Sequence, residues 1–264
     1  MRRSEGRQRH FRNERLTALT LIFNSFKDLA PIIWMRHLIL FDLDGTLVDI
    51  FDFHINAFIK MGKDVFGVDL VPEDIIKNIG KPARIVIGDP MTERGIDPVT
   101  VEKKMKIAYK SYKKHLEHNL RKMSMEEAVL PGVLKLLETL SHRGELVGLL
   151  TGNISTVGML IVEKTGLSKY FRIHSFGDVA RKRSEMIERA VELAKEKYDF
   201  FPERRNVFIL GDSVNDVRAG KEFGCRTIAV ATGFSSEEEL KKEKPDFLFN
   251  SLEDTEEVLK AFED

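Results

Sequence analysis

Apolar positions along the chain switch repeatedly between two periods. Short continuous apolar runs occur at 38–41, 146–150 and 207–210, and further strand-like segments at 172–176, 227–230 and 247–249. Runs of this length with no polar residue inside fit strands buried on both faces of a parallel sheet. Between them the apolar residues recur at helical spacing, over 133–141, 154–165 and 184–197, in a short helix reaching Phe223, and over 252–262. In the helix 184–197 the stripe is Met186, Ile187, Ala190, Val191 and Ala194. Strands separated by helices predict right-handed βαβ units and a parallel sheet. The polar stretch between 231 and 246 reads as a loop.

One region breaks the alternation. From 51 to about 130 no strand pattern occurs, which predicts a separate helical unit inserted after the first strand. Residues 51–66 carry a broad apolar face, and Pro72 opens a helix over 73–79. Gly80, Pro82, Gly88, Pro90, Gly95 and Pro98 predict a broken stretch. A long helix over 101–122 follows, with Val101, Met105, Ala108, Tyr112, Leu116 and Leu120 on one stripe. Its remaining faces are rich in lysine, which reads as a solvated face ahead of a surface that draws in phosphorylated substrates. Asp49 and His54, just past the first strand, read as a helix-capping aspartate and a surface histidine ahead of residues near a substrate.

Composition narrows the class. The 264 residues are 42% apolar and 32% charged, with 42 basic against 42 acidic side chains, so no global charge draws the chain to nucleic acid or membrane. Cys225 is the only cysteine and sits beside an apolar run, which excludes an internal disulfide and points to a packing role in a reducing, cytoplasmic setting. No run of eighteen apolar residues suggests a membrane span. Residues 1–34 differ from the rest: they are arginine-rich, and Leu16, Leu19, Phe23, Phe26 and Ala30 follow at helical spacing. They read as a basic arm, as a transit-like segment, or, the reading favoured here, as a stretch upstream of a true start at Met35.

Three strand ends carry the chemistry. The first run ends in Asp42-Leu43-Asp44-Gly45-Thr46, the run 146–150 in Thr151-Gly152-Asn153, and the run 207–210 in Gly211-Asp212-Ser213-Val214-Asn215-Asp216. In open α/β sheets ligands bind beyond the carboxyl ends of the strands, so all three are expected to line one crevice. Asp42 and Asp44 are two apart on extended chain and project to one side. Carboxylates gathered there repel unless a cation compensates, and Mg²⁺ suits an all-oxygen set completed by water and a substrate phosphate. The Thr151 hydroxyl and the backbone N–H groups of Gly152 and Asn153 suit an anionic oxygen.

In these motifs, over residues 37–264, the chain resembles the haloacid dehalogenase-like superfamily of phosphohydrolases, on its phosphoglycolate phosphatase-like branch. Asp42-Leu43-Asp44-Gly45-Thr46 matches the first motif, Leu149-Leu150-Thr151 the second and Gly211 to Asp216 the fourth. The third, a cation opening the helix before the fourth, matches Arg183 best and Lys182 second, although Ser184 stands where close relatives often carry proline. The resemblance implies a Rossmann-like, doubly wound parallel core over 35–50 and 130–264 with an α-helical cap over 51–129. It implies Asp42 as nucleophile, Asp44 as general acid and base, and Thr151 and Arg183 on phosphoryl oxygens. Mg²⁺ would be held by Asp42, the Asp44 backbone carbonyl and Asp212, with Asp216 close by. The expected activity is phosphatase action on a small phosphorylated metabolite. A phosphomutase and a non-catalytic binding module are the alternatives, and the oligomeric state stays open.

Overall fold

The six segments become six parallel strands, and the three uninterrupted apolar runs among them are buried along their whole length. A computed structural model describes residues 36–124, 126–178 and 180–263; the basic segment 1–34 lies outside them. The strands are β1 (Leu38–Phe41), β2 (Leu146–Thr151), β3 (Ile173–Phe176), β4 (Val207–Gly211), β5 (Arg226–Val230) and β6 (Phe247–Phe249). They form one sheet in the order β3-β2-β1-β4-β5-β6, every neighbouring pair parallel. Side chains alternate between two apolar layers. Ile39, Phe41, Val147, Leu149, Phe208 and Leu210 face one, and Leu38, Leu40, Leu146, Leu150, Val207 and Ile209 face the other.

Helices α5 (Val133–His142), α6 (Ser155–Lys164) and α10 (Thr255–Lys260) bury their stripes in the first layer. The second layer is covered by α7 (Arg183–Tyr198) together with Ala219 of α8 (Val214–Phe223). The fold is thus α/β and doubly wound. The chain leaves β1 on one side for β2 and β3, then returns to β4 on the other, so the β1–β4 pair is where the winding reverses. Phe41 lies opposite Leu210 there, and the Asp42 N–H extends the ladder to the Leu210 carbonyl at 2.9 Å. Crevices at such a reversal are where open sheets bind ligands.

Between β1 and β2 lie α1 (Phe51–Met61), α2 (Pro72–Ile76), α3 (Ala83–Glu93) and α4 (Pro98–Leu120), with a π-helical turn, Gly62–Phe66, extending α1. Helix α3 corrects the broken stretch expected from its glycine and prolines. Ala83, Val86, Ile87, Pro90 and Met91 are buried at helical spacing. Burying Val86, Ile87 and Met91 contributes about 1.5–3 kcal/mol each, which outweighs the ~1 and ~3 kcal/mol penalties of Gly88 and Pro90. Short helix α9 (Glu237–Lys242) likewise replaces the expected polar loop: Ser236 caps it, exchanging hydrogen bonds with Glu239. Among the described residues, no helix is long and apolar enough to cross a membrane.

Candidate active site

Asp42 follows β1 directly and is buried. The chain then turns at Gly45, whose φ of 79° suits glycine. A Cβ there would stand 2.5 Å from Asp212 Oδ2, so the turn that presents Asp44 also leaves space for Asp212. Asp212 follows β4 and accepts from Thr46 Oγ1 at 3.0 Å and from the Phe234 N–H at 2.8 Å. Asp216, in the first turn of α8, accepts from Ser213 Oγ at 2.6 Å and from the Ser213 N–H at 3.2 Å. Asp42, Asp212 and Asp216 bring carboxylate oxygens within 4.8 Å of one another.

One buried guanidinium answers these acids. Arg183 opens α7, and its Nε donates to Asp216 Oδ1 at 2.7 Å. Its Nη2 lies 2.9 Å from Asp42 Oδ1 and 2.5 Å from Asp216 Oδ1, without a well-directed hydrogen bond to either. Burial alone would lower the Arg183 pKa, but the Asp216 and Asp42 carboxylates outweigh it and raise it. Burial pushes the Asp42 carboxyl well above the ordinary range despite Arg183, with Asp216, Asp212 and Asp44 adding to the rise. Burial, then Asp216, pushes Asp212 up to about 7. Three buried carboxylates against one buried cation leave an excess of negative charge, and this all-oxygen set fits Mg²⁺. Lys182, the other candidate cation, is exposed and pairs with Glu222 at 3.2 Å.

Thr151 ends β2, buried, and its Oγ1 accepts from the Asn153 N–H and Nδ2, both at 3.2 Å. Its own O–H is left as a donor for the cavity. The Asn153 N–H expected to face an anion is therefore spent on Thr151, and Asn153 acts through its side chain. Its Nδ2 donates to Asp44 Oδ2 at 2.5 Å, and its Oδ1 accepts from Tyr112 at 3.0 Å. The second Asp44 oxygen, Oδ1, lies 2.8 Å from His54 Nε2. Asp44 is thus held by His54 and Asn153 rather than by Arg183. His54 corrects the surface reading: it is only 5% exposed. The signal was its spacing, since Phe51, His54, Ile55 and Phe58 share one helical face. Asp49 is exposed and caps nothing, Ile50 standing at the N-cap without a side-chain bond.

The insert also lays backbone across the site. The Ile79 carbonyl accepts from Asn215 Nδ2 at 2.9 Å, the Gly80 carbonyl from Arg183 Nη1 at 3.0 Å, and the Ala83 N–H donates to the Gly152 carbonyl at 2.7 Å. Sequence reasoning missed this segment, because its contacts are made by main chain and carry no residue signature. Asp42, Asp44, Thr151, Gly152, Asn153, Arg183 and Asp212 line a cavity of about 80 Å³, lined on the insert side by Phe51, Ile55, Phe58, Ile75, Ile79 and Lys81. That is room for a handful of water-sized groups.

Comparisons with known proteins agree with this fold. The model of the haloacid dehalogenase-like hydrolase family matches residues 39–230. The chain is similar to a pyrophosphatase PpaX of Anoxybacillus flavithermus, 29% identical over 219 residues, 82% of this chain and 93% of that one. It is similar to a phosphoglycolate phosphatase of Vibrio parahaemolyticus, 26% identical over 226 residues, 84% of this chain and 95% of the relative. In fold it resembles a β-phosphoglucomutase from Clostridium difficile, with a TM-score of 0.70 at 17% identity, covering 87% of this chain and 98% of the other.

Proposed function

The chain belongs to the haloacid dehalogenase-like hydrolase family, and within it we propose a Mg²⁺-dependent phosphatase that hydrolyses a small phosphorylated metabolite through an aspartyl-phosphate on Asp42. The observation that carries the reading is the division of the two motif-one acids. Asp42 sits among Arg183, Asp212 and Asp216, where charge on a phosphoryl group is met. Asp44 is turned to His54 and Asn153, free of the guanidinium.

An Asp42 carboxylate oxygen forms a bond to phosphorus as the ester P–O bond breaks, and the leaving oxygen keeps the electron pair and takes a proton from Asp44. Water then attacks the aspartyl-phosphate, gives its proton to Asp44 and releases inorganic phosphate, restoring both residues. Arg183 and the Thr151 hydroxyl stabilise charge on the equatorial oxygens, with the Gly152 N–H as a further donor. Asp42, the Asp44 carbonyl, Asp212 and Asp216 would hold Mg²⁺, which when bound offsets the repulsion between carboxylate and phosphate.

The insert, 51–129, serves as a cap that excludes water and selects the substrate. The small cavity supports a compact leaving group, and Lys81 at its wall supports an anionic one. Pyrophosphate and 2-phosphoglycolate, read from the names of the relatives, meet both criteria.

The test is phosphate release from these two compounds and from p-nitrophenyl phosphate, with Mg²⁺ and with EDTA. Metal-dependent release that Asp42→Asn abolishes in folded protein is the expected outcome. Substantial activity in Asp42→Asn removes Asp42 from the nucleophile role. Absence of release from folded, Mg²⁺-binding wild-type protein turns the reading towards a mutase or a binding module.

A further inference from the structure

Asp44 and three side chains around it close a ring of hydrogen bonds. Asp44 Oδ1 meets His54 Nε2 at 2.8 Å, and His54 Nδ1 meets the Tyr112 hydroxyl at 2.5 Å. Tyr112 donates to Asn153 Oδ1 at 3.0 Å, and Asn153 Nδ2 donates back to Asp44 Oδ2 at 2.5 Å. The ring has a direction. Tyr112 spends its one proton on Asn153, so its oxygen accepts from His54, which must present Nδ1–H. Nε2 then faces Asp44 Oδ1 across one proton, and the remaining lone pairs of the carboxyl are left for the proton that passes to the leaving oxygen. His54, Tyr112 and Asn153 are all buried, and Tyr112 stacks on Phe58 with ring centroids 4.1 Å apart and planes 10° from parallel.

We infer that His54, Tyr112 and Asn153 are positioning residues that fix the Asp44 carboxyl, through the ring, in the orientation from which it protonates the leaving oxygen. A carboxyl held at both oxygens cannot rotate about its terminal torsion, which is otherwise soft. Only Asp44 and Asn153 belong to the βα core. His54 comes from α1 and Tyr112 from α4, so the carboxyl is held at both ends only while the insert sits on the sheet edge. The acid is thereby set when the cavity is closed. Neither residue lies against Asp42, Arg183, Asp212 or Asp216 in the hydrogen bonds they make, so the ring acts on the proton-delivering side alone.

This inference rests on the acid role proposed for Asp44, and the experiment separates the two. Phenyl phosphate and p-nitrophenyl phosphate are nearly the same size, but phenolate is the more basic leaving group and needs the proton more. Asp44→Asn should lose far more kcat/KM on phenyl phosphate than on p-nitrophenyl phosphate. Equal losses on both esters overturn the acid role itself. Given the selective loss, His54→Ala should reproduce it at roughly 10- to 100-fold, part of the ~10²–10⁴ that a general acid contributes, with little change on p-nitrophenyl phosphate. His54→Gln, which restores a hydrogen-bonding partner to Asp44, should recover part of it. Tyr112→Phe keeps the stack on Phe58 and should shift the ratio in the same direction by a smaller factor, which covers the case in which His54→Ala does not fold. Variants that melt like wild type and lose both esters equally, or neither, overturn the positioning role.

Discussion

Arg183 is the buried cation around which Asp42 and Asp216 are arranged, and its neighbour Lys182 is solvated. The two substitutions therefore separate cleanly. Arg183→Ala leaves two buried carboxylates without their partner, a loss on the order of 3–5 kcal/mol, and removes the cation proposed to meet phosphoryl oxygens, for which a loss of about 10²–10³ in kcat is expected. Lys182→Ala breaks an exposed pair worth about 0–1 kcal/mol and should stay near wild type in rate and melting temperature. A larger rate loss in Lys182→Ala would assign the phosphate-binding cation to the wrong neighbour. At this scale Asp42 and Asp212 were legible in the sequence because each ends an apolar run, and strand ends on one edge must converge. The His54–Tyr112 pair was not, since a histidine and a tyrosine on apolar helical faces look the same whether they fill space or orient an acid.

β1, β2 and β4 were legible almost to the residue for a related reason: burial on both faces demands uninterrupted apolar runs, whereas β3, half buried with His174 and Ser175 inside it, carries no such run. The insert was less so. Its helices bury one side each, and Gly88 and Pro90 conceal α3 from any reading that treats them as breakers. Hidden too was the docking of segment 79–83, for which Gly152 provides the test. A Cβ on Gly152 would stand 2.4 Å from the Lys81 backbone carbonyl, which has no flexible end to move aside. Gly152→Ala keeps the N–H proposed as a phosphate donor yet must push the segment off the site. Displacement by about 1 Å can cost roughly 10²-fold in rate, so a loss of that order in kcat/KM with the fold retained is expected. Full activity in Gly152→Ala would show that catalysis does not need the segment where it lies.

Over the whole molecule positive and negative charges balance, 42 against 42, while the site concentrates acids at one sheet edge. Stability should therefore respond to pH and metal together. Burial raises the carboxyl of Asp212 to about 7 and that of Asp42 well above its ordinary value. Without metal, the folded protein keeps protons that the unfolded chain releases above about pH 4. This contribution is fully present below that pH and is lost as pH rises through 7. Mg²⁺ favours the ionised carboxylates and competes with those protons, so it binds more weakly at low pH. The melting temperature in EDTA should thus fall from pH 5.5 to pH 8, and the gap between Mg²⁺ and EDTA should widen over the same interval. At about 2–4 °C per kcal/mol for a chain of this size, the widening should reach several degrees. In Asp212→Asn the group that titrates near 7 is gone, so both the fall and the widening should shrink. A gap independent of pH in the wild type would place the metal's stabilising contacts away from these carboxylates.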